Sequence, residues 1–371
     1  MTRAATFPVL FAVLLAILLS SGCTWYLPGI MPPVAYPAIT PEPGAVLPRS
    51  PVYSYPFQDF EVRIAVPVDP AVYAGARSAE KTARIYDAAT RDEEWRSGLY
   101  RAMITDPAQE PLYDALIREF RAIRSAHDLD PDAYLELITV FVQSLPYQDQ
   151  DLQSPKYPVE TYVDGQGDCD DKSLLLAGLL AREGYRVALL HFVPEQHMAV
   201  GVGCTDGGYF GTGYAYMEAT HVSLVGVVPD QLEGNITLVS EPFVTPIGAG
   251  NLTYTRCNET RAIQAHLESL RIRIDALEQD LGVRQQALAA ERAELVALGQ
   301  RMERLRADGD SIGYNSLVAS YNRNARLYNE RLEAFRRIAG EYALLVDLYN
   351  TSIARLYDRA GIARALFGSS G

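Results

Sequence analysis

The segment Asp164-Gly165-Gln166-Gly167-Asp168-Cys169-Asp170-Asp171-Lys172-Ser173 carries residue types suited to thiol chemistry. It runs into Leu174-Leu175-Leu176-Ala177-Gly178-Leu179-Leu180, so a glycine-rich loop delivers Cys169 to the first turn of an apolar helix. Partial positive charge at a helix N-terminus stabilises a thiolate, and unpaired N–H groups there can hold an oxyanion. Gly184 ends the helix, an apolar strand runs from Tyr185 to Phe192, and a turn at Pro194 leads to His197-Met198-Ala199-Val200-Gly201-Val202-Gly203. His197 therefore heads the next strand. Singly, a cysteine at a helix start is as readily a small buried residue, and a histidine a satisfied polar group. Loop, helix start and strand together point to a cysteine nucleophile with an imidazole base.

These residues resemble the transglutaminase-like superfamily, and within it the transglutaminase-like cysteine peptidases, through a G-x-G-D-C-[DE]-D loop and helix and an H-M-A-V-G-V strand. The resemblance covers residues 157–220 well and the flanking helices loosely. It implies a papain-like, transglutaminase-like α+β fold with a Cys, His and acidic triad. Carried over by position, Cys169 is the nucleophile and His197 the base, while Tyr216-Met217-Glu218-Ala219-Thr220 supplies Glu218 as third member. His191, in the preceding strand, is the competing base, and the family pattern favours His197.

In such a triad the base accepts the thiol proton, the carboxylate fixes the imidazole tautomer, and backbone donors near Cys169 hold the oxyanion. Water as acyl acceptor gives peptide or amide hydrolysis, an amine gives cross-linking, and the triad alone does not choose. No cofactor is required. The charges of Asp168, Asp170 and Asp171 work against a reactive thiol, because negative neighbours raise its pKa. Asp170 and Asp171 can be satisfied at the helix N-terminus, or Asp168 and Asp170 bind Ca²⁺ with other oxygens, as the resemblance suggests.

Positioning these residues falls to a globular region, 59–257. Phe60 to Val66 alternates like a strand, Glu110 to His127 and Pro131 to Leu145 read as helices, and Asp128 and Asp130 make a helix start before Pro131. After Asn258, residues Ile263, Leu267, Leu270, Ile274, Leu277, Leu281, Leu288, Leu295, Leu298, Met302 and Leu305 recur in steps of four and three, interrupted only at Arg284 and Glu291. That is the a/d seam of a long helix. A turn at Asp308-Gly309-Asp310 separates it from a second repeat, Tyr314, Tyr321, Tyr328, Phe335, Tyr342, Tyr349 and Leu356. Residues 258–365 are therefore expected to form an antiparallel two-helix coiled coil.

The N-terminus has a basic start at Arg3, an apolar run from Val9 to Leu19 and small residues at Ser20, Ser21 and Gly22. Residues 1–22 read as a signal peptide. As a helix the apolar run would rise about 16 Å, roughly half of the ~30 Å hydrocarbon core, so export is favoured over spanning. Ser20-Ser21-Gly22-Cys23 resembles a lipobox with Ser20 where Leu is usual, which makes Cys23 the candidate lipidation site; the other reading is an uncleaved anchor or ordinary signal. Residues 23–58 are Pro-rich and are expected to be an extended spacer. Of the remaining cysteines, Cys204 and Cys257 are either a disulfide, which export permits, or two buried thiols.

The chain has 371 residues, 48% hydrophobic composition and a formal net charge of -13, which argues against a nucleic-acid partner. The expected function is a membrane-anchored, cell-surface thiol hydrolase acting on envelope or extracellular proteins, with the helical rod as spacer, substrate platform or docking arm, open to a coiled-coil partner or to self-association. The competing expectation is a non-enzymatic envelope adaptor that uses an inactive domain and its coiled coil.

Overall fold

A computed structural model describes residues 32–49, 51–148, 154–205, 207–232 and 236–368. The expected signal peptide, residues 1–22, and the candidate lipidation site Cys23 lie outside the described residues. The chain opens with a short strand β1 (Val34–Ala35), followed by a hairpin of β2 (Tyr53–Phe57) and β3 (Phe60–Ile64). Tyr55 and Phe57 are buried while Ser54 and Pro56 face out, so the proline, which has no N–H to give a ladder, sits on an edge strand.

The expected free spacer through residue 58 is corrected here, because from residue 32 onward the Pro-rich stretch lies on the folded unit. Ile39 is buried and donates its N–H to Asp106 Oδ2 at 2.8 Å, and the Tyr55 hydroxyl donates to Leu137 O at 3.3 Å. Prolines keep this backbone extended without preventing the apolar side chains between them from joining the core.

The helices α1 (Pro70–Ser78), α2 (Asp92–Ile104), α3 (Glu110–Ala126), α4 (Pro131–Gln143), α5 (Pro158–Asp164) and α6 (Cys169–Arg182) follow, with a two-residue strand β4 (Arg84–Ile85) after α1. Proline in the first turn presets φ for several of them. At α4, Asp130 adds a cap by accepting the Ala133 N–H at 2.7 Å.

Strands β5 (Val187–Phe192), β6 (His197–Gly203), β7 (Tyr214–Met217) and β8 (Phe243–Ile247) form an antiparallel sheet in the order β7-β6-β5-β8. The fold is mixed α+β. Val187, Leu189, Met198, Val200 and Val202 point to the main core, which also holds the fully buried Leu174, Leu175, Leu176, Leu179 and Leu180 of α6. Leu190, Phe192, Ala199 and Tyr216 form a smaller cluster on the other face. Alternation therefore sends the His197 and Met198 side chains to opposite faces of the sheet.

The C-terminal region is a pair of long helices, α7 (Cys257–Ala307) with 51 residues and α8 (Ser311–Ile353) with 43, giving a rod about 75 Å long. Every apolar seam position of α7 is buried or half-buried, as are the aromatic positions of α8 from Tyr314 to Tyr349. Ion pairs Arg273–Glu341 and Arg331–Glu291 join the two antiparallel helices. Glu291 thus breaks the apolar seam by pairing across it.

The second helix stops earlier than the repeat suggests, and a separate helix α9 (Arg359–Phe367) is capped by Asp358, which accepts the Gly361 N–H at 2.7 Å. Leu356, the last member of the repeat, lies in the turn and packs with Leu224, Ile263 and Ile362 at the base of the rod. Arg359 seals this base by ion-pairing with Glu136 of α4 and Glu259 of α7. A Cys204–Cys257 disulfide joins the end of β6 to the start of α7. Among the described residues, no helix is long and apolar enough to cross a membrane.

Candidate active site

The loop before α6 is shaped by two glycines. Gly165 ends α5 at φ 68°, in the left-handed region, and at Gly167 a Cβ would stand 2.6 Å from Asp171 Cβ. Asp168 then caps α6. Its Oδ1 accepts the N–H groups of Asp170 and Asp171, each at 3.1 Å, and Asp171 Oδ2 accepts the Asp168 N–H at 3.3 Å. This reciprocal pattern starts the helix at Cys169.

Cys169, the free cysteine among the described residues, is partly buried, and its thiol donates to Asp170 Oδ1 at 3.6 Å. Burial pushes the thiol pKa well up, Asp170 and Asp168 push it further, and the Met198 main-chain N–H pulls it down. Ser173, four residues on and hence on the same helix face, donates its hydroxyl to Met198 O at 3.2 Å. The first turn of α6 is thus fastened through Met198 to the start of β6, beyond the point where the β6–β7 ladder ends at Val200 and Met217. His197 is the neighbouring residue.

His197 is buried, and its Nε2 lies 3.2 Å from Glu218 Oε2. Glu218, just past β7, is fully buried. Its Oε1 accepts the N–H groups of Ala219 at 3.0 Å and Thr220 at 2.8 Å and the Thr220 hydroxyl at 2.6 Å, while Oε2 also accepts the Tyr216 hydroxyl. Burial pushes the Glu218 carboxyl up, but these bonds, His197 foremost, outweigh it and hold it at about 2. A charged carboxylate takes the proton-bearing ring nitrogen, so Nε2 donates and Nδ1 is left as the acceptor. The Tyr216 hydroxyl is 3.4 Å from His197 Nε2 and within electrostatic range of Cys169.

No protein-family model matches the chain, and comparison with curated proteins and with solved structures finds no match either. The site must be read from its own geometry.

That geometry brings His197 and Glu218 together and holds the Cys169 thiol to the main chain of Met198, the residue after His197. The acid partner goes to His197 rather than His191, whose ring meets Tyr100 edge-on and whose pKa is lowered by burial. The two carboxylates considered for Ca²⁺ have other tasks, Asp168 as helix cap and Asp170 as acceptor from the thiol. Among the described residues, no group of three or more His, Cys, Asp or Glu could hold a metal ion. Asp168 also takes up the Asp170 and Asp171 amides, so the Cys169 N–H is the first-turn donor nearest the sulfur for an oxyanion.

Several residues at the site escaped the sequence reading. Tyr216 stands two residues before Glu218, and the period of two that governs strands puts it on the same face. Lys172 is a fully buried lysine in an apolar helix, and Gln143 ends another apolar helix. A polar residue inside an apolar run was the signal available for both.

Proposed function

We propose that the chain is a thiol hydrolase of transglutaminase-like type, cleaving peptide or amide bonds in envelope or extracellular proteins through Cys169, His197 and Glu218. The observation that carries this reading is the approach of the buried Glu218 to His197 Nε2 at 3.2 Å, with Cys169 at a helix start held to the main chain of the next residue after His197, Met198. Since the resting thiol is held protonated, proton transfer accompanies attack. His197 Nδ1 accepts the thiol proton as Sγ bonds to the substrate carbonyl carbon, and Glu218 stabilises the imidazolium. The Cys169 N–H faces the oxyanion. The imidazolium then protonates the leaving amine, and water, deprotonated by His197, hydrolyses the thioester to regenerate the thiol.

The leader and Cys23 support an exported, membrane-anchored protein, with the rod as an arm for a coiled-coil partner or for self-association. An electrophilic thiol probe is expected to label Cys169, and His197→Ala to reduce that labelling strongly. Equal labelling of both proteins removes the dyad. Incorporation of a labelled primary amine into proteins, without hydrolysis, would turn the reading to cross-linking.

A further inference from the structure

The loop that carries Glu218 folds around its own carboxylate, with the amides of Ala219 and Thr220 turned inward to Oε1. Its carbonyls are gathered by two buried side chains for which the acyl-transfer steps have no use. Gln143, the last residue of α4, donates Nε2 to Glu218 O at 2.8 Å and to Ser223 O at 3.1 Å. Lys172 Nζ donates to Thr220 O at 2.8 Å, Leu145 O at 2.6 Å and Gln143 O at 3.3 Å. Lys172 is fully buried and stands on α6 within one turn of Cys169.

We propose that Lys172 and Gln143 are positioning residues that lock the Glu218 loop to the nucleophile helix, setting the register in which His197 meets Cys169. This rests on the hydrolase reading. Taking an ammonium out of water is unfavourable, and an apolar side chain could fill the same space without that penalty. What an apolar side chain cannot do is draw carbonyls from two distant segments, the end of α4 and the Glu218 loop, onto one atom of the cysteine's own helix. Precise placement of a catalytic group requires such supporting contacts.

The test measures the rate of Cys169 alkylation by iodoacetamide from pH 5 to 9 in the full chain and in Lys172→Met, Gln143→Met and His197→Ala, each shown to be folded by near-ultraviolet circular dichroism. Loss of register is expected to slow alkylation by Lys172→Met about tenfold at pH 7 and move its pH profile toward that of His197→Ala, with a smaller change of the same sign in Gln143→Met. A merely structural role gives the opposite sign, because loosening exposes the thiol and speeds its alkylation. Wild-type or faster alkylation in Lys172→Met and Gln143→Met, with His197→Ala slow, overturns the positioning role and leaves the dyad standing. Wild-type alkylation in His197→Ala overturns the hydrolase reading and this proposal with it. Should Lys172→Met fail to fold, Gln143→Met, which keeps the cation in place, decides by the same two signs.

Discussion

Glu218 Oε2 and His197 Nε2 stand 3.2 Å apart inside the protein, with the other carboxylate oxygen satisfied by three donors from the glutamate's own loop. The carboxylate is therefore fixed by its own loop. A preset carboxylate chooses the imidazole tautomer and stabilises the cation that forms when the ring takes a proton.

Glu218→Gln is expected to reduce thiol-dependent turnover on the order of 10³-fold, because an amide can present the wrong hydrogen-bonding group to Nε2 and no longer stabilises imidazolium. The same substitution should alter acid unfolding. The Glu218 carboxyl lies at about 2 in the folded chain against an ordinary 4.5, so its stabilising contribution is present above pH 4.5 and is lost as pH falls toward 2. Urea denaturation between pH 5 and 2 should show a steeper loss for the wild type than for Glu218→Gln; parallel curves would contradict the depressed value.

Asp170→Asn tests the opposite electrostatic pressure. Burial, then Asp168, push the Asp170 carboxyl up to about 6 from an ordinary 3.8. Its folded pKa is raised, so the associated stability is present below pH 3.8 and lost as pH rises through 6. At pH 7 the substitution should raise the denaturation midpoint, with little change at pH 4. Removing this charge also removes an influence that raises the thiol pKa, so alkylation of Cys169 at pH 7 should become faster. A slower reaction would mean that Asp170 itself serves as the proton acceptor.

Local signals made much of this architecture legible. The loop before Cys169 and the strand from His197 to Gly203 are contiguous patterns, and the rod's seam repeats for many turns, so neighbours in sequence suffice to read them. Proline density in residues 23–58 was a poorer guide. It reported an extended backbone but not that Ile39, Tyr55 and Phe57 would find a core made by residues far along the chain. The same distance hid the Gln143 contact with Glu218, which joins positions 75 residues apart. The Asp168–Asp170 pair was ambiguous because a helix cap and a cation use the same oxygens, and the cap itself shows only in the positions of the Asp170 and Asp171 amides.

The Cys204–Cys257 disulfide closes a loop of sequence separation 53 and ties the strand that begins at His197 to the rod. Constraining an unfolded chain by such a loop is worth about 4 kcal/mol in the chain-entropy picture. Cys204→Ser with Cys257→Ser should lower the free energy of unfolding by about 2–4 kcal/mol, measured with urea under non-reducing conditions. Dithiothreitol should destabilise the wild type and leave the double variant unchanged; equal responses would show that the bridge carries no constraint.

The base of the rod offers a sharper energetic test. Arg359 Nε bonds to Glu136 Oε1, which also accepts the Tyr254 hydroxyl, and burial raises the Glu136 pKa while Arg359 opposes that rise. Arg359→Met leaves a buried carboxylate without its cation and should destabilise the protein by about 3–5 kcal/mol at pH 7. Adding Glu136→Gln removes the stranded charge while keeping an acceptor for Tyr254, so the double variant should be more stable than Arg359→Met alone. A double-mutant cycle by urea denaturation measures this coupling. Strict additivity would show that the pair does not act as a buried ion pair, and that apolar packing of Leu224, Ile263 and Ile362 is sufficient to hold the rod to the domain.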